Sequence, residues 1–129
     1  FSRKDKKMAD DKVQQLRAQM HEDAKSGIIT LKTPLRAGGR DVTELAYDFG
    51  KLTGWEYADA MDMDPRAGNI YRITRKQALC LFAMAAGKAN EGVDATDIRE
   101  RLGVEDAQTA VEQAMVFLTT STPEVKRNS

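Results

Sequence analysis

Between residues 27 and 49 the apolar positions fall into a period close to two. Ile29, Leu31 and Leu35 alternate with Thr30, Lys32 and Thr33, and a turn-prone stretch from Arg36 to Arg40 follows, centred on Gly38 and Gly39. On its far side Val42, Leu45, Tyr47 and Phe49 interleave with Thr43, Glu44 and Asp48. Two such runs around a Gly-Gly turn predict a β-hairpin over residues 28–49. The step from Val42 to Leu45 breaks strict alternation and predicts a bulge there. Pro34 has no backbone N–H to donate, so its strand lies at an edge or ends at that point. An isolated two-stranded hairpin is marginal in water. Its apolar face must therefore pack on helices or pair with another chain.

Elsewhere the period is helical. Ahead of the hairpin, Val13, Leu16 and Met20 recur at helical spacing, but they are few and set among charges, so residues 1–27 predict a frayed helix or a disordered arm. After the hairpin, Thr53 with Glu56 and Thr74 with Gln77 have the spacing of capping boxes, in which side chain and backbone satisfy each other's polar groups at a helix start. The first of these helices should run to about Met63, where Asp64 and Pro65 stop it. The second, from residue 74 to about 90, is apolar nearly all round over residues 78–86. Such a helix is either the centre of a small domain or keeps one face for a partner. Asp94 opens a third helix over 95–102, with Gly103 as a left-handed cap. A fourth covers 105–120, with Val104, Ala107, Val111, Ala114, Met115 and Leu118 as its inward stripe. The expected fold class is α+β, mostly α-helical: an N-terminal β-hairpin packed on a small bundle of about four helices. One globular domain over 28–122 is expected, ending in a polar tail at 123–129.

Composition narrows this picture without redirecting it. A chain of 129 residues holds one core and not two full-sized ones. Twenty basic residues balance twenty acidic ones, so no blanket attraction to nucleic acid or anionic lipid follows, and a partner must be recognised locally. Residues 1–7 carry four basic side chains and one acidic, and precede Met8 in a context like a natural start, so they read as an extension ahead of the native chain. From Met8 onward, sixteen basic residues face nineteen acidic ones, which weakens a nucleic-acid reading further. A single cysteine, Cys80, rules out an internal disulfide and any zinc site of paired cysteines, and suits a reducing compartment. The longest apolar run, residues 78–86, is far short of the roughly 20 residues that cross a bilayer. A soluble, unsecreted protein is expected.

The motifs that carry chemistry are incomplete. The Gly-Gly turn at 38–39 lacks the Lys-Ser/Thr with which a phosphate loop holds nucleotide and magnesium. Asp59, Asp62 and Asp64 gather carboxylates, but the glycine and closing glutamate of a calcium loop are missing, and a solvated helix end accounts for them. His21 is the only histidine and is expected at the surface of the arm, where it can build neither a nucleophile-base dyad nor a multi-histidine metal site. Cys80 lies inside the apolar helix, where a thiol is generally inert. No catalytic, cofactor or metal site is expected, and the chain is read as non-enzymatic. Residues 95–104 and the following helix have the outline of a helix-turn-helix. Against it, residues 103–125 hold Glu105, Asp106, Glu112 and Glu124 and no Lys, Arg or His, the opposite of what a groove-reading helix needs. Trp55, Tyr57, Tyr47 and Phe49 form an aromatic group that serves either as core or as interface anchors. The methionines, Met61, Met63, Met84 and Met115 among them, carry the same two readings.

The stretch from Ile28 to Leu45, IITLKTPLRAGGRDVTEL, resembles the opening of the small phage tail assembly proteins of the Mu-like prophage type, also called tape-measure chaperones. The order that follows is also similar to that family. An aromatic strand ends in Asp48, Phe49 and Gly50, a short Trp-containing helix comes next, then the region from Ile73 to Leu79, then Asp94 to Gly103 and a last helix finishing Val116, Phe117, Leu118. The likeness covers about residues 28–122 and leaves out the arm. It implies a non-enzymatic protein of the bacterial host cytoplasm that coats the tape-measure protein, keeps it soluble, and leaves as tail-tube subunits assemble, so that it is absent from the mature virion. The expected partners are the tape-measure protein, the tail-tube protein and other copies of the chain, with no nucleic acid and no membrane. Apolar excess places the contact face at Leu79, Phe82, Met84 and Ala86 with Val116, Phe117 and Leu118, and the aromatic group Tyr47, Phe49 and Trp55 is the second choice. The hairpin edge could also pair between copies. The alternative is a structural protein that stays in the tail as a tube, completion or baseplate-type component, and a helix-turn-helix DNA-binding protein stands third.

Overall fold

The computed structural model describes residues 3–62 and 73–120, and it is α+β and mostly helical. Helix α1 (Arg3–Lys25) runs directly into an antiparallel hairpin of β1 (Ser26–Ala37) and β2 (Arg40–Asp48). A 3₁₀ turn (Phe49–Lys51) leads to α2 (Gly54–Met61), α3 (Arg75–Ala89), α4 (Ala95–Arg101) and α5 (Val104–Thr120). Met63, Asp64 and Pro65, expected to end the first helix after the hairpin, lie outside the described residues. The described helix stops earlier, with Asp62 as its C-cap.

Local chemistry accounts for most of the element starts. Thr53, Thr74 and Asp94 each accept a backbone N–H at the beginning of α2, α3 and α4, and Glu56, Gln77 and Asp97 return the bond to the cap residue. Gln77 does more, because its Nε2 donates to the Met61 carbonyl at 2.6 Å and so ties the end of α2 to the start of α3. In the hairpin, Ala37 pairs with Arg40 across a two-residue turn, and Gly38 and Gly39 have φ of +60° and +76°. Both values belong to the mirror-image turn that matches strand twist and that side chains with a Cβ resist. A Cβ on Gly38 would stand 2.6 Å from the Gly92 carbonyl oxygen, so the turn also seats tightly on the loop after α3. Arg40 Nη2 donates to the Glu91 carbonyl at 2.9 Å in the same place.

The bulge lies on the opposite strand from the one expected. Thr30 pairs with Glu44 and Leu35 with Val42, so residues 31–34 of β1 face only Thr43 of β2. The physical reason is in β1 and beyond it. Pro34 cannot donate to the ladder, and the buried Asp106 carboxylate of α5 accepts the freed N–H groups of Lys32 (2.9 Å) and Thr33 (3.1 Å). After the bulge both strands still turn Leu35, Ala37, Val42 and Leu45 into the core.

Helix α3 is the centre of that core. Ala78, Cys80, Leu81, Phe82, Ala83, Ala85 and Ala86 are all buried, and the hairpin, α2, α4 and α5 pack around them. Helix α5 differs from the expected stripe at its start: Val104 is 76% exposed, and the first turn is anchored by Asp106 instead. Gly103 is not a left-handed cap, since α4 ends in the extended residue Leu102 and positive φ among the described glycines occurs at 38, 39 and 92.

The N-terminal arm is a continuous helix of 23 residues, with no Gly or Pro and Val13 as its one β-branched residue. Its last turns dock on α5. His21 was expected at the surface, yet it is half-buried and stacks on Phe117 with ring centroids 4.5 Å apart. Its Nδ1 lies 3.1 Å from both the Phe117 carbonyl and Thr120 Oγ1. Arg17 Nη2 donates to the Thr119 carbonyl at 2.7 Å, and Ala24 is buried.

Candidate functional site

The ten residues expected at a partner surface do not form one face. Phe82, Tyr47 and Phe49 are buried and pack together at tilted angles: Tyr47 lies 5.2 Å from Phe82 and 5.4 Å from Phe49, centroid to centroid. Phe117 extends the stack, 4.8 Å from Phe49 on one side and against His21 on the other. This column joins α1, α5, the hairpin end and α3, so its apolar excess is spent inside the molecule. Ala86 is buried as well. Leu79, Met84, Phe117 and Leu118 are half-buried against the core, and Val116 is half-buried. Burial also pushes the Tyr47 phenol above its ordinary range, and its hydroxyl donates to Gln113 Oε1 at 3.3 Å.

Trp55 stands apart from this column. It is 79% exposed on the first turn of α2, where Thr53 and Glu56 fix the helix start. Its neighbour Glu56 borders an open groove of about 780 Å³ between α2, the end of α3 and residues 90–95. Met84, Val93 and Ala95 give that groove an apolar part, and the Glu56–Lys88 ion pair gives it a charged rim. The Lys88 ammonium, helped by the Thr53 N–H, holds the Glu56 carboxyl below the usual carboxylate range. Lys88 also donates to the Lys51 carbonyl at 3.2 Å, so the pair braces α2 against α3. A groove lined by both apolar residues and a charged pair is suited to binding a protein segment, and Trp55, outside its lining, is a separate exposed aromatic on α2.

A smaller groove of about 310 Å³ between α3 and α4 contains Leu79, Cys80 and Arg99. Burial raises the Cys80 thiol, the Arg99 charge offsets this in part, and the Asp59 charge adds to the rise. A thiol held neutral in this way is a weak nucleophile. Among the described residues no group of three or more His, Cys, Asp or Glu side chains could hold a metal ion, and Asp64 of the acidic cluster lies outside them. No described helix is long and apolar enough to cross a membrane.

Two positions that the pattern of the sequence did not single out organise these surfaces. Asn90, at the end of α3, accepts the Ala46 N–H (3.2 Å) and donates to the Ala46 carbonyl (2.7 Å), acting as one more strand residue on the outer edge of β2. Its amide also donates to the Ala86 carbonyl at 2.8 Å. Asp106 closes the β1 bulge as described, and Glu105 beside it pairs with Lys32 at 3.4 Å. The first turn of α5, which would enter a DNA groove in a helix-turn-helix, is thus packed on the hairpin. The only local signal for Asp106 is an acidic pair in the first turn of a helix, and none marks Asn90. Compared with known protein families, curated proteins and solved structures, the chain has no match.

Proposed function

We propose that this protein is a phage tail assembly chaperone: a non-enzymatic adaptor that covers the tape-measure protein in the host cytoplasm and is left behind when the tail completes. What carries this reading is the order of sequence elements over residues 28–122, the hairpin segment IITLKTPLRAGGRDVTEL followed by the aromatic strand end, the Trp helix and the Asp94 helix, which together resemble that family. Physical chemistry supplies a rationale. The apolar stripes of a long helical protein aggregate when bare, and a partly apolar groove can cover one in helix-in-groove fashion. Many copies of modest affinity along a repetitive rod hold it by avidity and still yield to the polymerising tube. In this reading the contact face is the α2–α3 groove with Trp55 and Met84, not the Phe82–Phe117 column, whose rings are committed to the core.

The test is co-expression with the long helical protein encoded downstream of this chain. The expected result is that the partner becomes soluble and copurifies with several copies, and that Trp55→Ala reduces the copurified fraction while leaving the helical circular dichroism unchanged. A partner whose solubility ignores this chain would overturn the proposal. So would finding the protein in purified particles at a fixed copy number, which would favour a structural tail component.

A further inference from the structure

Every described side chain from Lys6 to Met20 is exposed, although these residues form an unbroken helix. The body reaches α1 at Arg17, His21 and Ala24, so most of the helix gains little from tertiary packing. Most helical stability in proteins comes from packing an amphipathic face and not from residue propensity alone. Such a face is present. Ala9, Val13, Leu16 and Met20 lie on one stripe at heptad spacing, beside the flank that meets α5. Lys6 continues the stripe at one end and Asp23 at the other.

We propose that this stripe is the contact between two copies of the chain, with the two α1 helices antiparallel. Charge decides the orientation. In an antiparallel pair centred between Val13 and Leu16, Ala9 packs on the second copy's Met20 and Val13 on its Leu16, and Lys6 meets Asp23 at both ends. Lys12 and Gln19 then face each other along the flank away from α5, and Arg17 stays on the α5 side, held by the Thr119 carbonyl. A parallel pair sets Lys6 against Lys6 and Asp23 against Asp23, which is repulsive at both places. The antiparallel contact is self-complementary and closes at two copies, as a two-fold interface must. This inference is independent of the chaperone reading and concerns a different surface from the α2–α3 groove.

Sedimentation of the full chain from micromolar to near-millimolar concentration tests it. The expected mass rises from 14.3 kDa toward twice that value. Leu16→Asp should hold the mass at one chain and, in dilute solution, leave the melting of the body unchanged, because Leu16 is 63% exposed and lies outside the core. Lys6→Asp should weaken the dimer by roughly tenfold through like charges at both ends, and Lys6→Asp with Asp23→Lys should restore it. A single-chain mass at every concentration overturns the proposal. Dimerisation indifferent to Leu16→Asp overturns it too, since another surface is then responsible. A dimer indifferent to Lys6→Asp overturns the antiparallel orientation, because a parallel pair merely exchanges one like-charge contact for another.

Discussion

Helix α1 is the longest polar segment of the chain and α3 holds its longest apolar run, residues 78–86, and the two are helical for different reasons. Helix α3 is surrounded by the hairpin, α2, α4 and α5, begins in a full capping box, and presents small or apolar side chains to every neighbour. Burying Leu81 and Phe82 alone contributes about 1.5–3 kcal/mol each by transfer from water. Helix α1 is longer, yet its described side chains are exposed until its final turns. Its helicity rests on residue propensity, a docked C-terminal end and an unspent apolar stripe. The contrast teaches where this molecule is closed and where it is open: the dense apolar run of α3 is interior, and the sparse stripe of α1 is left facing water.

The largest expected effect lies at the closed end. Phe82→Ala removes the ring that Tyr47 and Phe49 pack against and leaves a cavity beneath the hairpin, at a cost of about 3–5 kcal/mol. Urea unfolding followed by circular dichroism measures it. A loss below about 1 kcal/mol would mean that α3 is not the centre of the core. Next comes Asp106→Asn, which keeps the shape but turns an amide NH₂ toward one of the two N–H groups of the β1 bulge. One buried donor loses its acceptor, a cost of about 1–3 kcal/mol. Hydrogen exchange at Lys32 and Thr33 should quicken more than exchange in α3. Uniform quickening would instead show that the bulge and the helix open as one unit.

How legible each part was follows the range of the interaction that fixes it. The capping boxes at Thr53, Thr74 and Asp94 and the turn at Gly38 and Gly39 are set by partners no more than three residues apart, so spacing alone identifies them. Asp106 acts across more than seventy residues and Asn90 across forty-four, and nothing in their own surroundings announces either bond. The broken apolar step at Val42 marks where the register changes, not which strand carries the extra residues, and these lie in β1. The expected partner face failed for a related reason. Apolarity does not distinguish a core from an interface, so Phe82 and Trp55 look alike in sequence, while one is fully buried and the other is 79% exposed. His21 was missed because its role depends on Phe117, a ring ninety-six residues away.

The smallest expected effect lies at the open end and sharpens the contrast most. In dilute solution Leu16→Ala should change stability by no more than about 0.5 kcal/mol, because Leu16 is exposed and alanine is the better helix former. That near-neutrality is itself informative when set against Phe82→Ala, an apolar-to-alanine change in a helix of the same chain. Raising the protein concentration should separate the two variants further. A partner copy that binds only the folded form stabilises it by mass action, so the wild-type melting temperature should climb with concentration and the Leu16→Ala temperature should climb less. Phe82→Ala should keep the wild-type slope from a lower starting point, since it leaves the α1 stripe intact. Equal slopes for wild type and Leu16→Ala would place the stability of α1 within the single chain and remove the distinction between the two helices.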